Sequence, residues 1–320
     1  MRLALAFLLS IPLLGCVSNE RIREVSGPSI AADAPERRPE ATSLLGRPLF
    51  ALAPGANPDA EANLAAARQA WEADPNNVDK TIWLGRRLGY LWRMNDAITV
   101  FTVGLERDRN DVRLLRHRGH RFLSLRRFAD ARADLERAAN LLQPSHDDVE
   151  PDGLPNAKNQ PLTSTAFNVW YHLMLVRYFQ GDFAGAEKAW SASRVTEAAA
   201  YPDNQVATAY WGVLILKRAG YDGEAGALLK SIPERPELLE NHAYYQLLRY
   251  FRGEIGELEL RAAGDKGTID PATIGYGIGI WRKLNGDVAG ARQEFESVLE
   301  TGSWPAFGYI AAEVELTRNR

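Results

Sequence analysis

Few residues of this chain are placed to do chemistry. Its 320 residues include five histidines, at positions 117, 120, 146, 172 and 242, and one cysteine, Cys16. His117 and His120 stand one helical turn apart, so they either share a ligand or belong to a solvated basic helix face. No histidine pair has zinc spacing, and no serine sits in a nucleophile elbow. In "DVEPDG", Asp148, Glu150 and Asp152 alternate ahead of Gly153, as at the start of a calcium-binding EF-hand loop. The closing bidentate glutamate would fall at Asn159, and Pro151 stiffens the segment, so a solvated acidic loop is the simpler reading. "GYGIGIW" from Gly275 has the look of a phosphate loop. No strand precedes it, and close helix packing explains its glycines better. The sequence therefore leads us to expect a non-enzyme with no catalytic residue, bound metal or cofactor.

Cys16 sets the expected compartment. "MRLALAFLLSIPLLGC" pairs a basic Arg2 with an apolar run from Leu3 to Leu14, the layout of a signal peptide and too short to span a bilayer. Leu13-Leu14-Gly15-Cys16 resembles a bacterial lipobox, in which the cysteine is lipidated and becomes the new N-terminus; Val17, in place of Asp, points to the outer membrane by the same resemblance. The expectation is an outer-membrane lipoprotein with its body in the periplasm. Formal charge is −3, from 38 basic and 41 acidic side chains, too near neutral for a nucleic-acid binder. Losing residues 1–15 removes only Arg2 and leaves −4. The segment 16–57, rich in Pro, Ala and charge, reads as a tether that cannot bury enough apolar surface to fold. "SLLGRPLFAL", Ser43–Leu52, is the part of it apolar enough to dock on the body.

The remaining residues, 58–320, carry a repeat. "LGRRLGYLWRMNDAITVFTVGL" from Leu84 and "RGHRFLSLRRFADARADLERAA" from Arg118 match at 34-residue spacing: Gly85 with Gly119, Leu88 with Phe122, Ala97 with Ala131, Phe101 with Leu135. Small and large apolar residues alternating at that period indicate stacked helical hairpins. "GDFAGAEKAW" from Gly181 and "GDVAGARQEF" from Gly286 repeat one phrase 105 residues apart. In each, glycine makes the turn and aspartate caps the next helix. Trp170 to Trp190, Leu216 to Leu229, Tyr245 to Ile255 and Ile278 to Val298 mark four further units, the fifth expected to be distorted because Leu258 stands where a small residue belongs.

Over about residues 59–304 this pattern resembles the tetratricopeptide repeat (TPR) family. The resemblance implies an all-α, right-handed superhelical solenoid of about five to six hairpins, with an N-terminal half-unit, "DAEANLAAARQAWEADPNN", and a C-terminal capping helix, "WPAFGYIAAEVELTRNR". Glu313, Glu315 and Arg318 would lie on the water-facing side of that cap. In this family the first helix of each hairpin lines a concave groove that holds the partner. By register the groove would hold Arg86, Arg113, Arg116, His117 and His120 at a basic end, and Tyr171, His172, Tyr210, Trp211 and Tyr244 at an aromatic one. Such a groove suits a protein or peptide with an acidic segment and apolar anchors. The family's familiar chaperone-binding clamp is not supported, since its places hold Ile82, Arg86, His117, Asn168 and His172.

The period breaks once, at about 144–164, inside "QPSHDDVEPDGLPNAKNQPLTSTA". A loop this long is usually functional or disordered. Four prolines reduce the entropy lost on ordering it. We expect it to pack over the groove near Arg116, His120 and Tyr171, with Asp147, Asp148 and Glu150 meeting the basic end. The functional expectation is a lipid-anchored scaffold for an envelope protein or peptide. The alternative is a receptor for a small ligand, a peptide or cell-wall fragment, held between groove and loop.

Overall fold

The computed structural model describes residues 38–143, 147–264 and 271–318; Cys16 and the whole leader lie outside them. Fourteen α-helices occur among the described residues. A single helix, α1 (Pro58–Ala73), precedes six hairpins: α2 (Val78–Tyr90) with α3 (Met94–Arg107), α4 (Val112–Ser124) with α5 (Phe128–Leu141), α6 (Thr165–Gln180) with α7 (Phe183–Ser193), α8 (Pro202–Arg218) with α9 (Asp222–Ser231), α10 (His242–Phe251) with α11 (Glu257–Gly264), and α12 (Pro271–Leu284) with α13 (Val288–Glu300). Helix α14 (Phe307–Arg318) closes the chain. Two small antiparallel pairs, β1 (Ala41–Thr42) with β2 (Pro48–Leu49) and β3 (Val149–Glu150) with β4 (Thr163–Ser164), lie in the N-terminal segment and in the inserted loop.

The repeat works as its residue types dictate. A Cβ added at Gly85 would sit 2.3 Å from the Phe101 ring, and one at Gly279 would sit 2.6 Å from Phe295. Small residues on the first helix thus admit the aromatic ring of the second. Gly275 and Gly277 lie just as close to Val298 and Leu247, so the "GYGIGIW" glycines serve packing. Gly181 and Gly286 adopt φ of +81° and +92°, and the carboxylates of Asp182 and Asp287 accept the backbone N–H of Gly185 and Gly290. In the first two hairpins the same left-handed place is taken by Trp92 and Arg126, at φ of +61° and +63°. The fifth hairpin is short, with helices of 10 and 8 residues, and Leu258 is exposed.

Helix α14 departs from expectation. Glu313 and Glu315 are 1% and 0% exposed rather than in water. The helix packs on α12 and α13 and turns into the concave side, where Gly308 to Leu316 are buried. Arg126 grips Glu313 with Nε at 2.9 Å and Nη2 at 3.1 Å. Arg218, Lys283 and Arg318 converge on Glu315 at 2.6–3.1 Å, and Arg318 Nη2 donates to the Tyr178 and Phe179 carbonyls. Arg126, Arg218 and Lys283 come from the ends of first helices or the turns after them and Arg318 from α14 itself, so the acids are desolvated only because each is paired.

The apolar part of the N-terminal segment does dock. Leu49 is 3% exposed. Glu40 accepts from Asn95 N at the start of α3, and Leu52 N donates to Leu91 O. The far side of this strap reaches the other end of the chain. Trp304 Nε1 donates to Phe50 O at 2.8 Å, and Arg47 pairs with Glu300. Trp92 meets Trp304 edge-on at 5.6 Å. Strap and α14 together therefore join the first hairpins to the last.

Candidate functional site

With α14 inside the curl, the concave surface left open lies around the inserted loop. The loop is anchored at both ends. Asp147 accepts from Ser164 Oγ and Ala166 N, while Ser164 Oγ caps α6 by accepting from Phe167 N. Leu162 is buried, and its carbonyl accepts from Asn204 Nδ2 at 2.7 Å. Between these anchors the chain crosses the first helices. Arg86 Nη1 donates to Pro151 O at 2.6 Å and Arg87 Nη1 to Gly153 O at 3.0 Å. Gly153 has no room for a Cβ, because Tyr90 Oη would stand 1.5 Å away.

Glu150 is the one acid of the loop that enters the groove deeply. Its carboxylate lies 3.2 Å from Arg116 Nε and 3.1 Å from His117 Nε2, and accepts from Asn168 Nδ2 at 2.5 Å. It therefore does not face a cation site of EF-hand type, and among the described residues no group of three or more metal-ligating side chains converges. Burial pushes the Glu150 carboxyl up, but Arg116 and then His117 outweigh it and hold the group well below the usual carboxylate range. His117 Nδ1 faces Arg116 Nη1 at 2.7 Å and so accepts, which places the ring proton on Nε2, toward Glu150. Burial, then Arg116, lowers the His117 pKa to about 3, and the ring stays neutral. His172 Nδ1 donates to Asn168 O at 2.6 Å, leaving Nε2 as an acceptor; burial and then Arg116 lower its pKa to about 3 as well. His120 packs on His172 with centroids 4.3 Å apart and the rings tilted by 39°, and accepts from Arg121 Nη2; burial, then Arg121, holds its pKa well below 6.5. His117 and His172 are thus buried and neutral, and the half-buried His120 packs against His172 and Phe307 rather than on a solvated basic face.

The segment 149–151 divides the open surface into two clefts of about 300 Å³ each. Arg86, Arg116, Glu150 and Pro151 line both. The first cleft adds Trp83, with Arg86 stacked 4.6 Å from its ring, and Arg113, which pairs with Asp79 at 2.7 Å. The second adds Tyr171, His172, Tyr244, Asn168, Asn204 and Phe307. In the second cleft Arg86 and Arg116 are matched by Glu150 and Asp152. Arg121 lies outside the lining, where burial, followed by Arg116, draws its pKa down to about 10.

The structure thus gathers Arg86, Arg113, Arg116, His117, Tyr171, His172 and Tyr244 around the two clefts, with His120 packed behind His172. Tyr210 and Trp211 are corrected. They are 0% and 1% exposed, Tyr210 stacking on Tyr244 and Phe251, and Trp211 on Tyr276. Helix α8 is buried on nearly all sides, and its register alone does not reveal this. Phe307 and Asn204 were missed. Phe307 reaches the cleft from a helix expected outside it, and Asn204 gave no signal beyond its place at the start of a first helix.

No protein-family model matches the sequence, and no curated protein matches it. Solved structures similar to it include MamA, at 19% identity over 54% of this chain and 86% of that one, with a TM-score of 0.41. YrrB, described as a TPR protein with an unusual peptide-binding site, is 12% identical over 74% of this chain and 92% of its own, with a TM-score of 0.41. A tetratricopeptide repeat protein from Parabacteroides merdae ATCC 43184 is 14% identical over 81% and 93%, with a TM-score of 0.48. On its own geometry, six successive helical hairpins in which Gly85, Gly119 and Gly279 admit Phe101, Leu135 and Phe295 at one register, the chain is an all-α solenoid of helical hairpins.

Proposed function

We propose that the protein is an interaction module, held at a bacterial envelope membrane by lipid on Cys16, that takes an acidic segment of a protein or peptide partner in the two clefts flanking residues 149–151. One observation carries the choice of surface. Helix α14 fills the rest of the groove, so the basic and aromatic groups Arg86, Arg116, Tyr171, His172 and Tyr244 meet solvent only there. The titratable groups lining the clefts are committed to one another, Glu150 to Arg116 and His117, and His172 to a carbonyl, which suits recognition rather than proton transfer. Anchoring and envelope location rest on residues 1–17 alone.

The expected result is a stoichiometric partner captured from detergent-solubilised membranes by the full chain and lost with Arg86→Ala. A partner retained in full by that variant would move the interface elsewhere. The small-ligand reading is favoured by cleft size, since about 300 Å³ is the lower end of small-molecule sites. Under it, no protein is captured, yet a cell-wall fragment or short peptide raises Tm. For the anchor, Cys16→Ser should release the protein from membranes, because each buried lipid methylene contributes about 0.8 kcal/mol. A Cys16→Ser protein that still pellets with membranes in high salt rules the anchor out.

A further inference from the structure

Glu150 occupies its cradle poorly. Arg116 Nε and Glu150 Oε1 are both buried and meet their partners as ion-pair contacts off the best hydrogen-bond angle, Arg116 Nε at 3.2 Å and His117 Nε2 at 3.1 Å from the carboxylate. Of the three donors around the carboxylate, Asn168 Nδ2 lies closest, at 2.5 Å. A buried charged donor held off its best angle forfeits part of its hydrogen bond, so a better-placed carboxylate can compete for the same cradle. The segment that delivers Glu150 is lightly held. Its ladder is one two-residue pair, β3 with β4. Val149 and Leu154 are 64% and 72% exposed, so lifting the segment uncovers little apolar surface. Glu150 apart, its polar ties to the body are Arg86 and Arg87 to its carbonyls and Asn156 Nδ2 to Glu240 Oε1 at 3.0 Å, and water can replace these. By contrast Leu162, Ser164 and Asp147 fix the two ends of the loop to α6 and α8. The part free to move is bounded at 149–161.

We propose that Glu150 is a built-in competitor for the site. An incoming acidic side chain or chain end takes the Arg116–His117–Asn168 cradle, segment 149–161 lifts, and the two clefts merge into one trough that admits an extended segment. The inference rests on the acidic-ligand reading above. It adds that the resting protein is self-occupied and that binding is coupled to release of the loop. A site that is free only a fraction of the time binds with its affinity reduced by that fraction. If the cradle is open about one-tenth of the time, removing the competitor strengthens binding about tenfold.

The test uses the full chain and a fluorescently labelled hexaglutamate peptide as probe. Glu150→Gln keeps the shape and the hydrogen bond to Asn168 but removes the charge. It should bind the probe about tenfold more tightly than the wild type, and Arg116→Gln in the same background should abolish that gain. In the wild type, saturating peptide should raise hydrogen exchange across 149–161 and leave α6 unchanged. Circular dichroism checks that each variant is folded, and the exchange measurement needs no variant at all. Binding by the wild type that Arg86→Ala weakens, with no gain in Glu150→Gln and no loop release, overturns the competitor and leaves the acidic-ligand reading standing. Folded wild type and folded Glu150→Gln that both ignore the probe overturn that reading and this inference together.

Discussion

Arg126 holds its backbone at φ +63°, in the region where a glycine sits in four later hairpins. A side chain there costs about 1–2 kcal/mol. The cost is offset by what the side chain reaches: the Glu313 carboxylate, with the rings of Trp304 and Tyr309 at 5.6 and 5.7 Å. Arg126→Ala keeps the strain, loses the pair and strands a buried carboxylate, so it should cost about 3–5 kcal/mol. Arg126→Gly also loses the pair but relieves the backbone, and should be the milder change by about 1 kcal/mol in urea unfolding. Equal losses would mean that the strain is not real. The buried histidines make a second prediction at this scale. His117 and His172 stay neutral to about pH 3 when folded, but titrate near 6.5 when unfolded. The unfolded chain then binds more protons between those values, so stability falls as pH drops from about 6.5 to about 3, by at most about 1.4 kcal/mol per pH unit for each ring. Glu150 adds to the loss at the acid end, because its folded pKa is depressed and its contribution disappears on protonation. The urea midpoint should drop between pH 7 and pH 4. His172→Gln should shrink that drop, and an unchanged drop would count against a buried neutral His172.

At the scale of the helix, the repeat register makes its own prediction. Ala131 and Ala186 are fully buried where the second helix of a hairpin meets the first, whereas Ala192 is half-buried on α7. Replacing either of the first two with leucine overpacks the hairpin and should cost about 1–3 kcal/mol; Ala192→Leu should cost much less. Thermal unfolding of the three variants decides it, and similar shifts in all three would refute the register. The helices, their turns and the weakness of the fifth unit were all legible before the structure, because a repeat forces small and large residues into places that recur along the chain. Leu258, out of place in the pattern, is 86% exposed on an eight-residue helix. Helix α14 was legible as a helix but not in its orientation. Its acids read as solvent-facing because the arginines that bury them, Arg218 for Glu315 and Arg126 for Glu313, stand 97 and 187 residues away in sequence.

Across the whole molecule, the strap of residues 38–52 ties the first hairpins to the last. It caps α3 through Glu40, buries Leu49 and offers Phe50 O to Trp304. A chain beginning at residue 53 loses about 1.5–3 kcal/mol of leucine burial and about 1 kcal/mol for each hydrogen bond. Hydrogen exchange should rise in α14, although no residue of α14 is altered. Protection of α14 that does not change would make the strap a passive passenger.

What the amino-acid sequence determined by itself is periodic or local. The 34-residue spacing implied hairpins, Gly-Asp implied a turn and a cap, and proline-rich acidic residues between two units implied a loop that orders at low entropic cost. Each depends on neighbours within one or two helical hairpins, and such contacts can be read from spacing. What only the tertiary structure decided is which faces of those helices remain open. Tyr210 and Trp211 share a register with Tyr171 and His172, yet they are core. The curl of six hairpins brings α10 and α12 onto α8, and the closing helix enters the curl instead of capping its end. Curvature is the sum of small rotations between successive hairpins, and no single stretch of sequence carries it. Burial of the groove, the ion pairs across it and the two clefts that survive beside Glu150 all follow from that sum.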